Sequence, residues 1–256
     1  MTGDAPHPRL EREGPLARIV LDRTDRLNAF GLAAVHHLDH IVAEVAADPD
    51  IRVVTMVGEG RAFSTGIDLK ELAAGDIDIG YHPVWERALR RLETMEKVVI
   101  CLLHGHALGG GLQLALAADI RVATPTVRVG LPAINEGLIP GLGTFRLARY
   151  VGLGRAKRLI LSGETIDGTK AQAIGLVDHL VPEEGMGSAF QAIVDRYAAA
   201  NSEGARLSKA ALLDCFDADF DRFFERYLRL QDQAMNSADF REAMIAYREG
   251  RPPRWG

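Results

Sequence analysis

Arg61-Ala62-Phe63-Ser64-Thr65-Gly66-Ile67-Asp68-Leu69-Lys70-Glu71-Leu72 and His104-Gly105-His106-Ala107-Leu108-Gly109-Gly110-Gly111 are the two stretches on which the reading of this chain turns. Each comes shortly after an apolar run typical of a buried strand, Ile51 to Val57 before the first and Val98 to Leu103 before the second. The second runs on into Leu112-Gln113-Leu114-Ala115-Leu116-Ala117, all strong helix formers, so its glycines sit where a loop feeds a helix N-terminus. Glycine lets backbone approach a ligand closely, and the first amides of a helix have no intrahelical acceptor. A lone glycine triplet reads first as a tight turn. A pair of such loops, however, can aim two N–H groups at one oxygen, which makes an oxyanion hole.

Outward from these loops the chain alternates strand-like and helical segments. Ala17 to Leu21 reads as a strand, Leu32 to Ala47 as a helix, and Tyr81 to Met95 as a second helix with apolar residues at helical spacing. Short strands are expected at Ile120 to Ala123 and Val127 to Val129, helices at Arg155 to Leu161 and Thr169 to Ile174, and a last strand at Val177 to Val181, closed by Pro182. From about Gly187 only helical patterns remain: Ala205 to Leu213, Phe220 to Met235 and Phe240 to Tyr247. The fold class is therefore α/β with a C-terminal all-helical region. The expected organisation is a loose lead-in over residues 1–15, a core over 16–200 and a helical oligomerisation region over 201–256. Phe220, Phe223, Phe224, Tyr227, Leu228 and Leu230 form an apolar stripe that must bury itself against a partner subunit or the chain's own body.

A composition 47% hydrophobic and 25% charged is that of an ordinary globular protein, and a net charge of −5 with both signs interspersed gives no basic field for nucleic acid or an anionic membrane. No run has the length of a membrane span or a signal peptide, so a cytoplasmic location is expected. Cys101 and Cys215 read as buried or inert thiols. His104 and His106 flank the glycine triplet and read as structural rather than acid–base groups. Metal-ligand spacings, the nucleophile elbow and the phosphate-cradling glycine motifs are all missing, and no metal or separate cofactor is expected.

The first loop is similar to the A-F-x-x-G-x-D-[LI]-K-E segment of the crotonase (enoyl-CoA hydratase/isomerase) superfamily, and the second to its G-x-A-x-G-G-G-x-x-L segment. Asp22 to Ala29, Gly137 to Thr144, Leu161 to Glu164, Ala171 to Val177, Asp239 to Ala243 and Arg251-Pro252-Pro253 extend the resemblance over residues 16–254. The resemblance implies a spiral of ββα repeats with a C-terminal helical region, assembled as homotrimers or hexamers, and a CoA thioester as substrate. It assigns the two oxyanion donors to the backbone N–H groups of Ile67 and Gly110. It also marks Arg26, Leu27, Ala62, Thr65, Gly66, Asp68, Gly109, Gln113 and Ala133 as substrate-binding positions, with Arg26 and Leu27 at the CoA entrance and the stretch around Thr65 receiving the adenine. Arg26 reads equally as a phosphate partner and as a solvated surface arginine, and Asp68 chiefly as a support of its loop.

The chain departs from the family's hydratases at two positions. They place one glutamate three residues beyond the middle glycine of the triplet and another after the proline of a G-x-P-E turn, where this chain has Gln113 and Ala133. An amide cannot take a proton at neutral pH and a methyl group can do nothing. Glu136 stands three residues beyond Ala133, and a helical turn there would set both on one face; read otherwise, Glu136 is a surface or salt-bridged residue. Three functions stay open on this reading: an isomerase-type acyl-CoA enzyme using Glu136 as its one base, a related decarboxylase or hydrolase, and a carrier or partner subunit that binds acyl-CoA without turning it over.

Overall fold

The strands read as nearly unbroken apolar runs because both faces of the sheet they form are covered. The computed structural model describes residues 7–200, 203–216, 220–251 and 253–254. Its six-stranded sheet runs β1 (Arg9–Glu13), β2 (Leu16–Leu21), β3 (Val53–Gly58), β4 (Val98–Leu103), β6 (Ile120–Ala123) and β9 (His179–Leu180), parallel throughout except for β1, which pairs antiparallel with β2. Alternate residues serve opposite faces. Ala17, Ile19, Val54, Met56, Val99 and Cys101 face one core with the helices α1 (Leu32–Ala47) and α3 (Tyr81–Thr94), whereas Val53, Ile100, Leu102 and Val122 meet Phe190 and Val194 of α8 (Met186–Ala200) on the other.

A second, smaller sheet sets the functional loops. It consists of β5 (His106–Leu108), β7 (Arg128–Gly130) and β8 (Thr165–Ile166), extended by single bridges of Ser64 to Ala107 and of Ile67 to Phe30. Three successive units share one plan: a strand of the large sheet, an extended piece in the small one, then a helical start. β3 leads through 63–68 to α2 (Leu69–Ala74), β4 through β5 to α4 (Gly110–Leu116), and β6 through β7 to a 3-10 turn at Pro132–Glu136. This is the expected spiral of ββα units.

Beyond these units come α5 (Gly143–Val151), α6 (Leu153–Ser162), α7 (Gly168–Ala173), and then the tail helices α9 (Glu203–Leu212), α10 (Phe220–Met235) and α11 (Ala238–Glu249). α9 is fastened to the core by Lys209, whose ammonium donates to the Asp119 carboxylate at 2.7 Å and to the Lys97 carbonyl at 2.8 Å.

One expectation needs correction. The lead-in is not loose throughout, because β1 pairs all five of its residues with β2; its charged residues mask the strand, as suits an exposed edge. Cys101 is fully buried, with its thiol pushed up to about 12 by that burial, but Cys215 is exposed. On α10, Phe224, Tyr227 and Leu228 keep 41–49% of their surface exposed and Leu230 is half-buried, so among the described side chains of the stripe three stay exposed on this chain. The side chains of Phe220 and Phe223 lie outside the described residues. Among the described residues, no helix is long and apolar enough to cross a membrane.

Candidate active site

Two sets of backbone hydrogen bonds hold the glycine loops side by side. Phe63 N–H donates to the His104 carbonyl at 3.0 Å, Ser64 N–H to the His106 carbonyl at 3.0 Å, and Leu108 N–H to the Ser64 carbonyl at 3.0 Å. Opposite them, Phe30 N–H donates to the Gly66 carbonyl at 2.7 Å and Asp68 N–H to the Phe30 carbonyl at 2.9 Å. In such a parallel bridge the residue between the two bonds turns its own amide away from the partner. Ile67 is that residue, and its N–H has no acceptor among the described residues. The Gly110 N–H, first in α4, has none either.

Gly66 makes the close approach possible. Its φ is +88°, and a Cβ there would lie 2.4 Å from the Gly110 nitrogen and 2.8 Å from the Leu108 carbonyl oxygen. The first loop is held from behind by Asn28, fully buried, whose amide donates to the carbonyls of Glu59, Ala62 and Phe63 at 3.0, 2.8 and 3.2 Å. Asp68 caps α2, accepting from the Lys70 and Glu71 amides, and pairs with Arg23 at 2.9 Å. Burial alone would raise its carboxyl, but those two amide bonds, with the charges of Arg23 and Arg26, outweigh it and hold the pKa below the ordinary value.

Ile67 and Gly110 line one cavity of about 90 Å³. Thr65 and Gly109 share the loop side, Gln113 comes from α4, and Ala133 and Glu136 come from the 3-10 turn. Residues i and i+3 eclipse in a 3-10 turn, which is why Glu136 and Ala133 open onto the same space. Glu136 is the one carboxylate among the described lining residues.

The remaining marked positions lie outside the cavity lining. Ala62 is fully buried with its carbonyl bound to Asn28, Gly66 is wedged against Gly110, and Asp68 is 4% exposed and caps α2, as a support of its loop should. Leu27 adopts a left-handed φ of +50° and accepts the Thr65 amide at 3.1 Å, whereas Arg26 is part-exposed beside Asp25. His104 is buried, with Nε2 on the Gly60 carbonyl at 3.2 Å, as a structural histidine should be.

Sequence reasoning missed the contribution of α3. Tyr81, His82 and Trp85 line the cavity, with Leu69, Pro132 and the loop Leu138 to Gly141. Burial, with the charges of Glu71 and Asp68, raises the Tyr81 phenol far above its ordinary value, so it stays neutral. The only signal was the i, i+4 spacing of Tyr81 and Trp85, which serves packing on α1 as well. Among the described residues, no three His, Cys, Asp or Glu side chains group as a metal site would require.

The family model described as enoyl-CoA hydratase/isomerase matches residues 11–256. The short-chain-enoyl-CoA hydratase of Clostridium acetobutylicum is 33% identical over 247 residues, 94% of each chain. Among solved structures, the enoyl-CoA hydratase of Bacillus anthracis superposes with a TM-score of 0.90 at 29% identity, covering 97% of this chain and 98% of that one. The enoyl-CoA hydratase of Mycobacterium smegmatis reaches 0.91 at 25% identity, covering 98% and 99%. With two glycine loops set amide to amide on a ββα spiral and a match along nearly the whole chain, this protein belongs to the enoyl-CoA hydratase/isomerase family, the crotonase superfamily.

Proposed function

We propose that this protein is an acyl-CoA enzyme that moves a proton between carbons of the acyl group, a double-bond isomerase with Glu136 as its single base. The carrying observation is that Glu136 lines the same cavity as the Ile67 and Gly110 amides while positions 113 and 133 offer no carboxylate. The thioester carbonyl sits between the two amides, with the CoA arm leaving past Thr65, Leu27 and Arg26. Glu136 takes a proton from C2 of a 3-enoyl thioester, and the electrons of the C–H bond pass into a dienolate whose oxygen carries the charge. Each amide aimed at that oxygen contributes about 3–4 kcal/mol. The proton returns at C4, giving the 2-enoyl isomer with no other reactant.

Hydration, the activity in the names of several relatives, needs a second group to orient and deprotonate water. Neither the Gln113 amide nor the Ala133 methyl can serve. Glu136→Gln, assayed with 3-enoyl- and 2-enoyl-CoA, is expected to lower isomerisation by about 10²–10⁴-fold. Brisk hydration of 2-enoyl-CoA by the parent, or undiminished isomerisation by the variant, would show the single-base reading to be wrong.

The assembly proposed is a homotrimer or hexamer, supported by the exposed Tyr227 and Leu228 of α10. Light scattering at micromolar concentration tests it, and a monomer rejects it.

A further inference from the structure

The cavity that Ile67, Gly110 and Glu136 share ends on an indole. Trp85 of α3 is 3% exposed, and a Cβ built on Gly110 would stand 3.4 Å from its Cζ2, so the ring abuts the glycine loop itself. It has little room to swing away. Its N–H donates to the Gln113 side-chain oxygen at 3.3 Å, and the ring stands edge-on to Phe30 at 5.1 Å and stacks with Tyr81 at 6.2 Å. Gln113 is pinned in turn. Cβ atoms on Gly141 and Gly143 would lie 2.7 Å from its oxygen and 3.2 Å from its Cγ, so the backbone beyond the 3-10 turn closes on it from the other side. α3, α4 and that backbone meet in one packed wall, and interiors packed in this way yield little to an added methylene.

The space in front of that wall is small. A cavity of roughly 150 Å³ admits benzene, with its six carbons. By that ratio the cavity of about 90 Å³ holds about four carbons once the thioester oxygen has entered the notch between the Ile67 and Gly110 amides. The proposed reaction sets the opposite bound. Moving a double bond from C3 to C2 needs a C4 to receive the returning proton, so the smallest substrate has four carbons too. The two limits meet at one length.

We infer that the site is specific for four-carbon acyl groups and that Trp85 is the residue that sets this limit. The inference deepens the proposed function and rests on its seating of the thioester at Ile67 and Gly110; the substrate is then 3-butenoyl-CoA and the product 2-butenoyl-CoA. Atoms balance within the substrate. Glu136 takes the C2 proton, the C–H electron pair becomes the C2–C3 double bond, and the electrons of the former C3–C4 double bond take the proton back at C4. The vinyl end becomes a methyl group of nearly the same size, so substrate and product fit against the same wall. A longer chain must displace the indole or turn back to the exposed rim of Leu69, Leu138 and Ile139, where it stays wet.

Titration calorimetry of the whole protein with acetyl-, butyryl-, hexanoyl- and octanoyl-CoA reads the limit without turnover. The parent should bind butyryl-CoA most tightly. Acetyl-CoA should bind about tenfold more weakly for want of two buried methylenes, and hexanoyl-CoA at least about tenfold more weakly because it overfills the cavity. Trp85→Leu, which removes the rings and keeps an apolar side chain, should move the maximum to hexanoyl-CoA. Trp85→Phe, gentler on the core, should lower the butyryl-to-hexanoyl ratio severalfold, and it decides the matter with the parent if Trp85→Leu does not fold. A merely structural defect weakens every ligand and cancels in the ratio. Affinity that climbs with chain length in the parent, or a ratio untouched in the folded Trp85 variants, overturns this inference while the thioester seat survives. A maximum at butyryl-CoA without conversion of 3-butenoyl-CoA upholds the length limit and sinks the isomerase reading alone. If none of the four binds, the seat falls and the inference with it.

Discussion

Replacing Gly66 with alanine tests whether the two loops create the oxyanion site. The new Cβ would stand 2.4 Å from the Gly110 nitrogen, where ordinary contact begins at 3.4 Å, so the Gly110 amide must retreat by roughly 1 Å. Because φ at Gly66 is +88°, the substitution also adds backbone strain of ~1–2 kcal/mol. Displacing one donor by that distance should lower kcat by about 10²–10³-fold. KM should move less, because the donors act most strongly on the charge that develops on the enolate. Gly75 supplies the control. It has a φ of +83° but nothing within 4 Å of a built Cβ, so Gly75→Ala carries similar strain without the displacement. Thermal denaturation and steady-state conversion of 3-enoyl-CoA on both variants separate the two effects, with stability falling in each and kcat collapsing only in Gly66→Ala. A folded Gly66→Ala enzyme within threefold of the parent's kcat would refute the idea that this contact holds the donor in place.

Asp68 ties stability to pH. Its folded carboxyl lies below the ordinary value near about 3.9, so the stability it supplies is present above that value and is lost as pH falls through the lower folded one. Asp68→Asn should show a shallower loss of unfolding free energy below about pH 4 than the parent, measured by urea denaturation; identical slopes would count against the assignment. Asn28→Ala should cost ~2–4 kcal/mol, since it strips the donor from three carbonyls and puts alanine at a φ of +58°. A loss below about 1 kcal/mol in the same titration would mean that the Asn28 amide is not what holds the first loop.

The two loops and most of the strands and helices were legible because their signals are local. Val98 to Leu103 is apolar at every position and became β4 with those bounds, and Leu32 to Ala47 became α1 because Val35, Leu38, Val42 and Val45 recur on one face. Glycines 66, 110 and 111 stood out for the same reason, since a side chain at any of them would press on the facing loop. β1 escaped notice because an edge strand need not alternate. Its pairing partner, not its own residues, makes it a strand.

The site's chemistry was less visible. The sequence alone could say that positions 113 and 133 lack the carboxylates of family hydratases, and that Glu136 stands one turn on. Only the tertiary structure decided that Glu136 opens onto the cavity and that α3 walls it. The contact from the Trp85 indole to the Gln113 oxygen spans 28 residues of chain. A side chain's hydrogen-bond partner is set by which surfaces the core brings together, and periodicity along the chain carries no record of that.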